Sequence, residues 1–180
     1  MNRTRHVDVV FLMGPPGSGK SYLGNELNRH GLVSYTELEP KLIEIFGEGE
    51  AFRSRRPAAL RWIQNFYREE LSRSLLPVGI ETTGISDREF IRELSQEFRL
   101  LFVRVTTPRE ICVERVRTRP SGRNINTDGD SGGSFYDYWC AEIEPTYDFD
   151  ILVSGMNSAV AIERISDAIE AALGQRPDTV

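Results

Sequence analysis

One eight-residue segment constrains the fold more than any other part of the 180-residue chain. Residues 14–21 read Gly-Pro-Pro-Gly-Ser-Gly-Lys-Ser and fit the pattern G-x-x-x-x-G-K-[ST]. An apolar run over Val7–Met13 precedes the segment, and a helical pattern with Leu23 and Leu27 on one face follows it. The arrangement predicts a buried strand that leads through a phosphate-binding loop into a helix.

The residue types in this loop have a physical reason. Glycines let the backbone turn so that successive N–H groups face phosphate oxygens, and the helix that begins there adds its positive end. We expect Lys20 to reach the β- and γ-phosphates and Ser21 to ligate Mg²⁺ through its hydroxyl. The predicted nucleotide-binding residues are Gly14, Gly17, Ser18, Gly19, Lys20 and Ser21.

The rest of the chain alternates short apolar runs with longer helical patterns, which is typical of a parallel α/β sheet. The predicted strands are Val7–Met13, Leu32–Tyr35, Val78–Glu81, Leu100–Val105 and Phe149–Val153. A helix is predicted from about Pro57 to Ser74, and Ser86 and Thr107 each begin a capping-box pattern. We predict a five-stranded parallel sheet flanked by helices, in one domain over residues 1–174 with a tail at 175–180.

Composition narrows the class of protein. The net charge of −5 argues against nucleic acid as a partner. The two cysteines are far apart and form no CxxC pattern, which suits a reducing, cytoplasmic setting. The apolar run before the loop is too short to span a membrane. We expect a monomer or homodimer.

A polar, glycine-rich segment at about 119–133 is longer than an ordinary connection. It is interpreted either as a surface loop or as a mobile lid over an active site. Arginines on both sides of the segment, with Arg123 inside it, favour the lid.

Three further stretches match patterns of one known family. Gly49-Glu50-Ala51-Phe52-Arg53, after Ile45-Phe46, is similar to I-F…G-E-x-x-F-R-x-x-E. Glu114-Arg115 ahead of the polar segment is similar to an adenine-side pattern, and the stretch from Glu144 to Val153 is similar to an R-x-P-L-Y…A-D-x-x-V ending. Together with the phosphate loop, these stretches resemble the nucleoside-monophosphate-kinase group of P-loop proteins, and shikimate kinase most of all. The resemblance implies a P-loop NTPase α/β/α fold, ATP and Mg²⁺ as cofactors, and phosphoryl transfer.

The acceptor side departs from that family. Glu81-Thr82-Thr83-Gly84 stands in place of G-G-G, and Glu37-Leu38-Glu39 in place of D-x-D. Arg56 occupies the position of an acid, and Ile143 that of an arginine. The resemblance therefore does not extend to shikimate as the acceptor.

Three acids follow predicted strands, where open α/β sheets place their ligands. The resemblance gives Glu37 and Glu39 the family's acidic positions, one nearer the metal and one nearer the acceptor; the other interpretation of this pair is a solvated helix start. We expect Glu81 to hold a metal-bound water. The predicted catalytic set is Lys20, Glu37, Glu39, Glu81 and Arg123, with Ser21, Glu37 and Glu81 at the metal and Arg115 on the adenine side.

The predicted acceptor side contains Arg53, whose guanidinium suits an anionic acceptor. Trp62 and Phe66 are candidates to line the acceptor pocket, although most aromatics at such spacing are core. Tyr67 is predicted to be core, and Arg55 and Arg56 to be solvated.

The sequence as a whole predicts an ATP- and Mg²⁺-dependent kinase acting on a small hydroxyl-bearing, anionic metabolite. One alternative is a nucleoside or nucleotide kinase, including one that acts on a modified base. Another is a nucleotide-binding ATPase module with no small acceptor.

Overall fold

A computed structural model describes residues 7–120 and 133–174, with side chains to residue 172. Its core is one sheet of five parallel strands in the order β2-β3-β1-β4-β5. The strands are β1 (Val9–Met13), β2 (Ser34–Tyr35), β3 (Val78–Thr82), β4 (Leu100–Thr106) and β5 (Ile151–Ser154). The α/β class, the strand number and the parallel pairing predicted from the sequence are confirmed.

Seven α-helices are present in the described part of the chain. They are α1 (Lys20–Arg29), α2 (Glu39–Phe46), α3 (Gly49–Arg73), α4 (Arg88–Glu97), α5 (Arg109–Arg117), α6 (Gly133–Tyr138) and α7 (Ser158–Gly174). A π-helical turn (Trp139–Ile143) and a 3₁₀ turn (Glu144–Thr146) connect α6 towards β5. No described helix is long and apolar enough to cross a membrane.

The central strand β1 shows why the sheet has helices on both faces. All five of its residues are buried, and their side chains alternate between two apolar clusters. Val10 and Leu12 pack with residues of α1 and α7, such as Leu23 and Ile165. Phe11 and Met13 belong to the cluster that contains residues of α2, α3 and α4. The result is a three-layer α/β/α arrangement.

Helix α3 is longer than the sequence predicted. It begins at Gly49 rather than near Pro57, so Pro57 lies inside the helix and Phe52 and Arg53 lie in its first turns. Proline is common at the first position of a helix, and this preference led to the late predicted start. The longer helix brings Arg53 and Arg56 onto the same element as the apolar residues that follow them.

The two predicted capping boxes are wrong. Neither α4 nor α5 has a side-chain hydrogen bond at its N-cap. Thr107 instead donates its hydroxyl to the Ser18 carbonyl at 2.8 Å, and Asp87 accepts a hydrogen bond from Thr82. Both residues therefore contact the strand-end loops that lie beside β1 and β3.

The turn after β5 approaches the phosphate loop closely. A Cβ added to Gly155 would lie 1.9 Å from the Ser18 carbonyl oxygen and 2.6 Å from Thr107 Oγ1. The neighbouring atoms include backbone, which cannot move aside as the end of a side chain can. Glycine is therefore required at this position by space.

We predict that Gly155→Ala destabilises the protein by at least about 1–3 kcal/mol, the usual range for overpacking, because the new methyl group displaces the phosphate loop. Urea unfolding measures the loss. Gly133→Ala is the matched control, since its Cβ would meet mainly the mobile end of Arg109. Equal stability of the two variants would contradict the prediction.

Candidate active site

A cavity of about 1300 Å³ lies over the carboxyl ends of β1 and β3. Residues from the phosphate loop and from α2, α3, α4 and α6 line it. Ligands of open parallel sheets bind at this edge. The volume exceeds the several hundred Å³ of a typical single-ligand pocket, so two molecules can bind next to each other.

The phosphate loop has the backbone that the motif predicts. Gly17 and Gly19 have φ values of 80° and 99°, in the left-handed region that favours glycine. A side chain at Gly17 would also collide with the Cys112 carbonyl, 2.4 Å from the added Cβ. Gly17 and Gly19 line the cavity, whereas Gly14 and Ser18 are buried below its surface. The Ser18 hydroxyl has no hydrogen-bond partner within the described residues.

Lys20 lies at the start of α1 with its ammonium folded back over the loop. Its Nζ donates to the carbonyls of Gly14 and Pro15, each at 2.9 Å. Burial lowers the pKa of Lys20 from 10.5 to about 8. The negative charge of Glu81 opposes this shift, and the positive charge of Arg119 adds to it. An arriving anion would therefore stabilise the protonated form.

Glu81 is the best-positioned acid of the site. Its two carboxylate oxygens accept hydrogen bonds from Ser21 Oγ at 2.6 Å and from the Tyr35 hydroxyl at 2.8 Å. Burial, with the Glu81 charge second, raises the pKa of Tyr35 well above its ordinary value, so Tyr35 remains a hydrogen-bond donor. Tyr35 was not predicted as a site residue, because at the end of a short apolar strand it has the signature of core.

Glu37 and Glu39 both line the cavity and are partly buried. Glu39 is the first residue of α2 and lies 3.5 Å from Arg119 Nη1. No hydrogen bond or ion pair of Glu37 is found in the described ranges. Both interpretations of the pair therefore hold in part. Glu39 begins a helix, and both acids face the cavity.

Arg115 contacts the phosphate loop directly. Its Nη1 donates to the Gly17 carbonyl at 3.0 Å, and its Nη2 lies 3.3 Å from Met156 Sδ. Arg119 lies two residues beyond the end of α5, yet both arginines line the cavity. The predicted catalytic Arg123 and most of the predicted lid lie outside the described residues.

One face of α3 forms a wall of the cavity. Arg53, Arg56, Leu60, Ile63 and Tyr67 follow one another on this face at spacings of three and four, and Phe52 lines the cavity beside them. Arg53 also pairs with Glu50 at 2.8 Å on the exposed side. Arg56 donates a hydrogen bond to Ser86 Oγ. Arg56 is exposed, as predicted, but it also lines the cavity.

Trp62 and Phe66 do not line this cavity, in contrast to the prediction. They stack on each other with ring centroids 5.7 Å apart, and the Lys41 ammonium of α2 lies over the Phe66 ring. They lie on a neighbouring face of α3 and pack, partly buried, against the apolar cluster on that side of the sheet. Tyr67, predicted as core, is 3% exposed and also lines the cavity.

Asp87 is a cavity residue that the sequence analysis assigned only to a helix cap. It accepts a hydrogen bond from Thr82, whose hydroxyl also accepts from the Gly84 N–H at 2.8 Å. Burial raises the pKa of Asp87 above its ordinary value. In the sequence, Asp87 follows the strand-end residue Thr82 by five positions. A helix-cap pattern explains that position equally well, so the sequence did not identify Asp87 as a cavity residue.

Aromatic residues outside α3 fix the loop after β3. Trp139 Nε1 donates to the Thr83 carbonyl at 2.8 Å, and the Tyr147 hydroxyl donates to the Gly84 carbonyl at 2.6 Å. Gly84 has a φ of 75°, and a Cβ there would meet the Tyr147 ring. Thr83 and Gly84 lie in the segment that stands in place of the G-G-G motif of shikimate kinase. Each is thus fixed by a hydrogen bond from an aromatic side chain.

Comparison with solved structures identifies the architecture. Shikimate kinase from Bacteroides thetaiotaomicron matches with a TM-score of 0.65 and 18% identity, over 89% of this chain and 97% of that one. The fold is that of the shikimate kinases. Shikimate kinase from Acinetobacter baumannii, in complex with shikimate, matches with a TM-score of 0.61 and 19% identity over 94% and 96% of the two chains. The P-loop fold inferred from the resemblance is confirmed.

The same fold relates the chain to kinases with other acceptors. Deoxyadenosine kinase from M. mycoides with bound dATP matches with a TM-score of 0.56 and 14% identity over 90% and 99% of the two chains. No protein-family model and no curated protein sequence matches the chain. The shared architecture therefore shows the fold and identifies no ligand of this chain.

We predict that Lys20 titrates near pH 8, and that Arg119→Gln raises its pKa because a neighbouring cation is removed. Glu81→Gln is expected to lower it, because a stabilising anion is lost. Lysine-selective ¹³C NMR measures these values in a simple spectrum, since Lys20 and Lys41 are the only lysines of the chain. Shifts of the opposite sign would contradict this electrostatic account.

Proposed function

We propose that this protein is an ATP- and Mg²⁺-dependent kinase that transfers the γ-phosphoryl group to a hydroxyl of a small anionic metabolite. The observation that carries the proposal is the hydrogen bond from Ser21 of the phosphate loop to Glu81 at the end of β3. It brings together a loop that suits phosphates, a hydroxyl and a carboxylate. The cavity continues beyond them into space for a second ligand.

The residues present fit a magnesium ion. Mg²⁺ prefers oxygen ligands and usually keeps several waters beside one or two protein groups and substrate phosphates. The Ser21 hydroxyl and the Glu81 carboxylate, 2.6 Å apart, supply that kind of donor. When bound, the ion would neutralise charge on the β- and γ-phosphates. The described residues contain no group of three or more His, Cys, Asp or Glu that could hold an ion.

The protein's own groups position the transfer. The N–H groups around Gly17 and Gly19 hold the phosphates, and Lys20 leaves the Gly14 and Pro15 carbonyls to bind the γ-phosphate. Arg115 and Arg119 face the same cavity and add positive charge. Charge that develops on the transferring group is thereby met by positive groups that the fold holds around the cavity.

Glu37 is the proposed base for the acceptor. The acceptor hydroxyl oxygen forms the new bond to the γ-phosphorus while the bond from that phosphorus to the β–γ bridging oxygen breaks, and ADP leaves. The hydroxyl proton passes to Glu37, which faces the cavity without a partner in the part of the chain that the structure describes. Glu39 is held by Arg119 and is assigned a positioning role.

The rival functions receive less support from the site. The stacked Trp62 and Phe66, which would suit a nucleoside base, do not line the cavity. An ATPase without an acceptor has no use for a wall of α3 residues beyond the phosphate loop. Arg53 at that wall supports an anionic acceptor.

We predict that Lys20→Ala nearly abolishes phosphoryl transfer while the fold persists, because the lysine neutralises the transferring group. Transfer from γ-labelled ATP to a pooled metabolite extract measures activity, and circular dichroism checks the fold. Lys41→Ala is the control, since Lys41 is exposed on α2. Wild-type transfer by a folded Lys20→Ala protein would exclude the proposed function.

We predict that Glu81→Gln lowers kcat by about 10²–10⁴-fold, the range typical of a positioned catalytic carboxylate, and reduces the Mg²⁺ dependence of ATP binding. The physical reason is the loss of the anion that Ser21 and Tyr35 orient. Steady-state kinetics and calorimetric titration of ATP with and without Mg²⁺ measure the two effects. The exposed Glu44→Gln serves as control, and an unchanged kcat for Glu81→Gln would contradict the assignment.

A further inference from the structure

The wall of the cavity formed by α3 changes its chemical character along the helix. Arg53 and Arg56 come first, Leu60 and Ile63 follow, and Tyr67 comes last, all on one face. At a rise of about 1.5 Å per residue, Arg56 and Tyr67 are separated by roughly 16 Å along the axis. A ligand that lies along this wall meets cationic, apolar and polar groups in that order.

The middle of the wall faces other apolar side chains. Leu38 and Leu42 at the beginning of α2, Ile85 in the loop before α4 and Phe90 of α4 line the same cavity. Leu38, Leu42 and Phe90 belong to the apolar cluster on this face of the sheet. Ser86 and Asp87 also line the cavity, but each already bonds a protein side chain, Arg56 and Thr82 respectively. The apolar side chains therefore favour a ligand with an apolar body over one whose body carries several hydroxyl groups.

The far end of the wall carries a buried polar group. Tyr67 is only 3% exposed, and no hydrogen bond to its hydroxyl is present among the described residues. Burial raises the pKa of Tyr67, and the nearby negative charges of Glu81 and Asp87 raise it further. The Tyr67 hydroxyl therefore stays protonated. Since Glu81 also binds Ser21, this end of the wall is the end next to the phosphate loop.

The near end carries two guanidinium groups at the mouth of the cavity. Arg53 forms an exposed pair with Glu50, a kind of interaction worth at most about 1 kcal/mol. Arg56 donates to the hydroxyl of Ser86, which carries no charge. Both arginines line the cavity, where an anionic group of a ligand can compete with these partners for a guanidinium group.

We infer that the acceptor is an amphipathic hydroxy acid. Its hydroxyl lies at the Tyr67 end, its apolar body lies between α3 and the Leu38, Leu42 and Phe90 side chains, and its anionic group lies at Arg53 and Arg56. This inference rests on the proposed function and names the acceptor class for the same site. It excludes compact polyhydroxylated acids as the preferred acceptor.

The test is a homologous series of ω-hydroxy acids. 4-Hydroxybutyrate, 6-hydroxyhexanoate and 8-hydroxyoctanoate share both ends and differ only in the apolar body. Calorimetric titrations are made in the presence of Mg²⁺ and a non-hydrolysable ATP analogue. Each buried methylene strengthens binding by up to about fourfold, so we expect the Kd to fall at least tenfold across the series. Equal affinity of the three acids would overturn the inference.

The charged end is tested with 1,8-octanediol, which replaces the carboxylate of 8-hydroxyoctanoate by a hydroxyl. We expect the diol to bind at least tenfold more weakly to the wild-type protein. Arg53→Gln and Arg56→Gln should reduce this preference, whereas the exposed Arg61→Gln on another face of α3 should retain it. Equal binding of diol and acid to the wild-type protein would overturn the anionic assignment.

The apolar wall is tested with Ile63→Ser, which should flatten the dependence on chain length while leaving the affinity for the ATP analogue unchanged. Shikimate serves as the polyhydroxylated probe, and tighter binding of shikimate than of 8-hydroxyoctanoate would also overturn the inference. Binding of the ATP analogue alone is measured first. Its absence would overturn the proposed function, whereas normal analogue binding with a flat ω-hydroxy acid series would overturn only the acceptor class.

Discussion

The carboxylate of Glu81 is the interaction on which the arrangement of the site depends. It joins Ser21 at the start of α1, Tyr35 at the end of β2 and its own strand β3 through two short hydrogen bonds. Glu81 is partly buried, and a carboxylate that is removed from water needs hydrogen-bond donors for its oxygens. The hydroxyls of Ser21 and Tyr35 satisfy both oxygens and in doing so fix the phosphate loop relative to the two strands that border the acceptor side.

Two helices beside the site, α4 and α5, begin without the side-chain hydrogen bond that often stabilises a helix N-terminus. A side-chain N-cap typically contributes about 1 kcal/mol to a helix, and neither α4 nor α5 has one. Thr107 instead binds the backbone of the phosphate loop, and Asp87 binds Thr82 behind the acceptor cavity. Local sequence rules fail at these two positions because tertiary contacts of the site compete for the same side chains.

The fold and the backbone of the phosphate loop were predictable from sequence, whereas the wall that α3 contributes to the cavity was not. The phosphate loop is a local motif with its own backbone geometry, and the strands are continuous apolar runs. Which face of a long helix borders a cavity depends on its packing, so helical spacing could not separate Tyr67 and Ile63 from Trp62 and Phe66. The role of Arg56 was missed for a related reason, since its place on the wall depends on α3 beginning before Pro57.

Charged residues are arranged differently in the two halves of the cavity, at the phosphate loop and along α3. On the nucleotide side, Lys20 is kept by two backbone carbonyls and its pKa is lowered to about 8, so the site holds a cation that is poorly stabilised until phosphate arrives. On the proposed acceptor side, the cations Arg53 and Arg56 lie at the mouth, and the interior combines apolar side chains with the carboxyl of Asp87. In the proposed reaction, electrostatic attraction acts on both ligands, whereas desolvation acts mainly on the acceptor. Removing water from the hydroxyl of the proposed acceptor would strengthen the electrostatic contacts made at the transferring group, and the apolar wall would then contribute to catalysis as well as to selection of the acceptor.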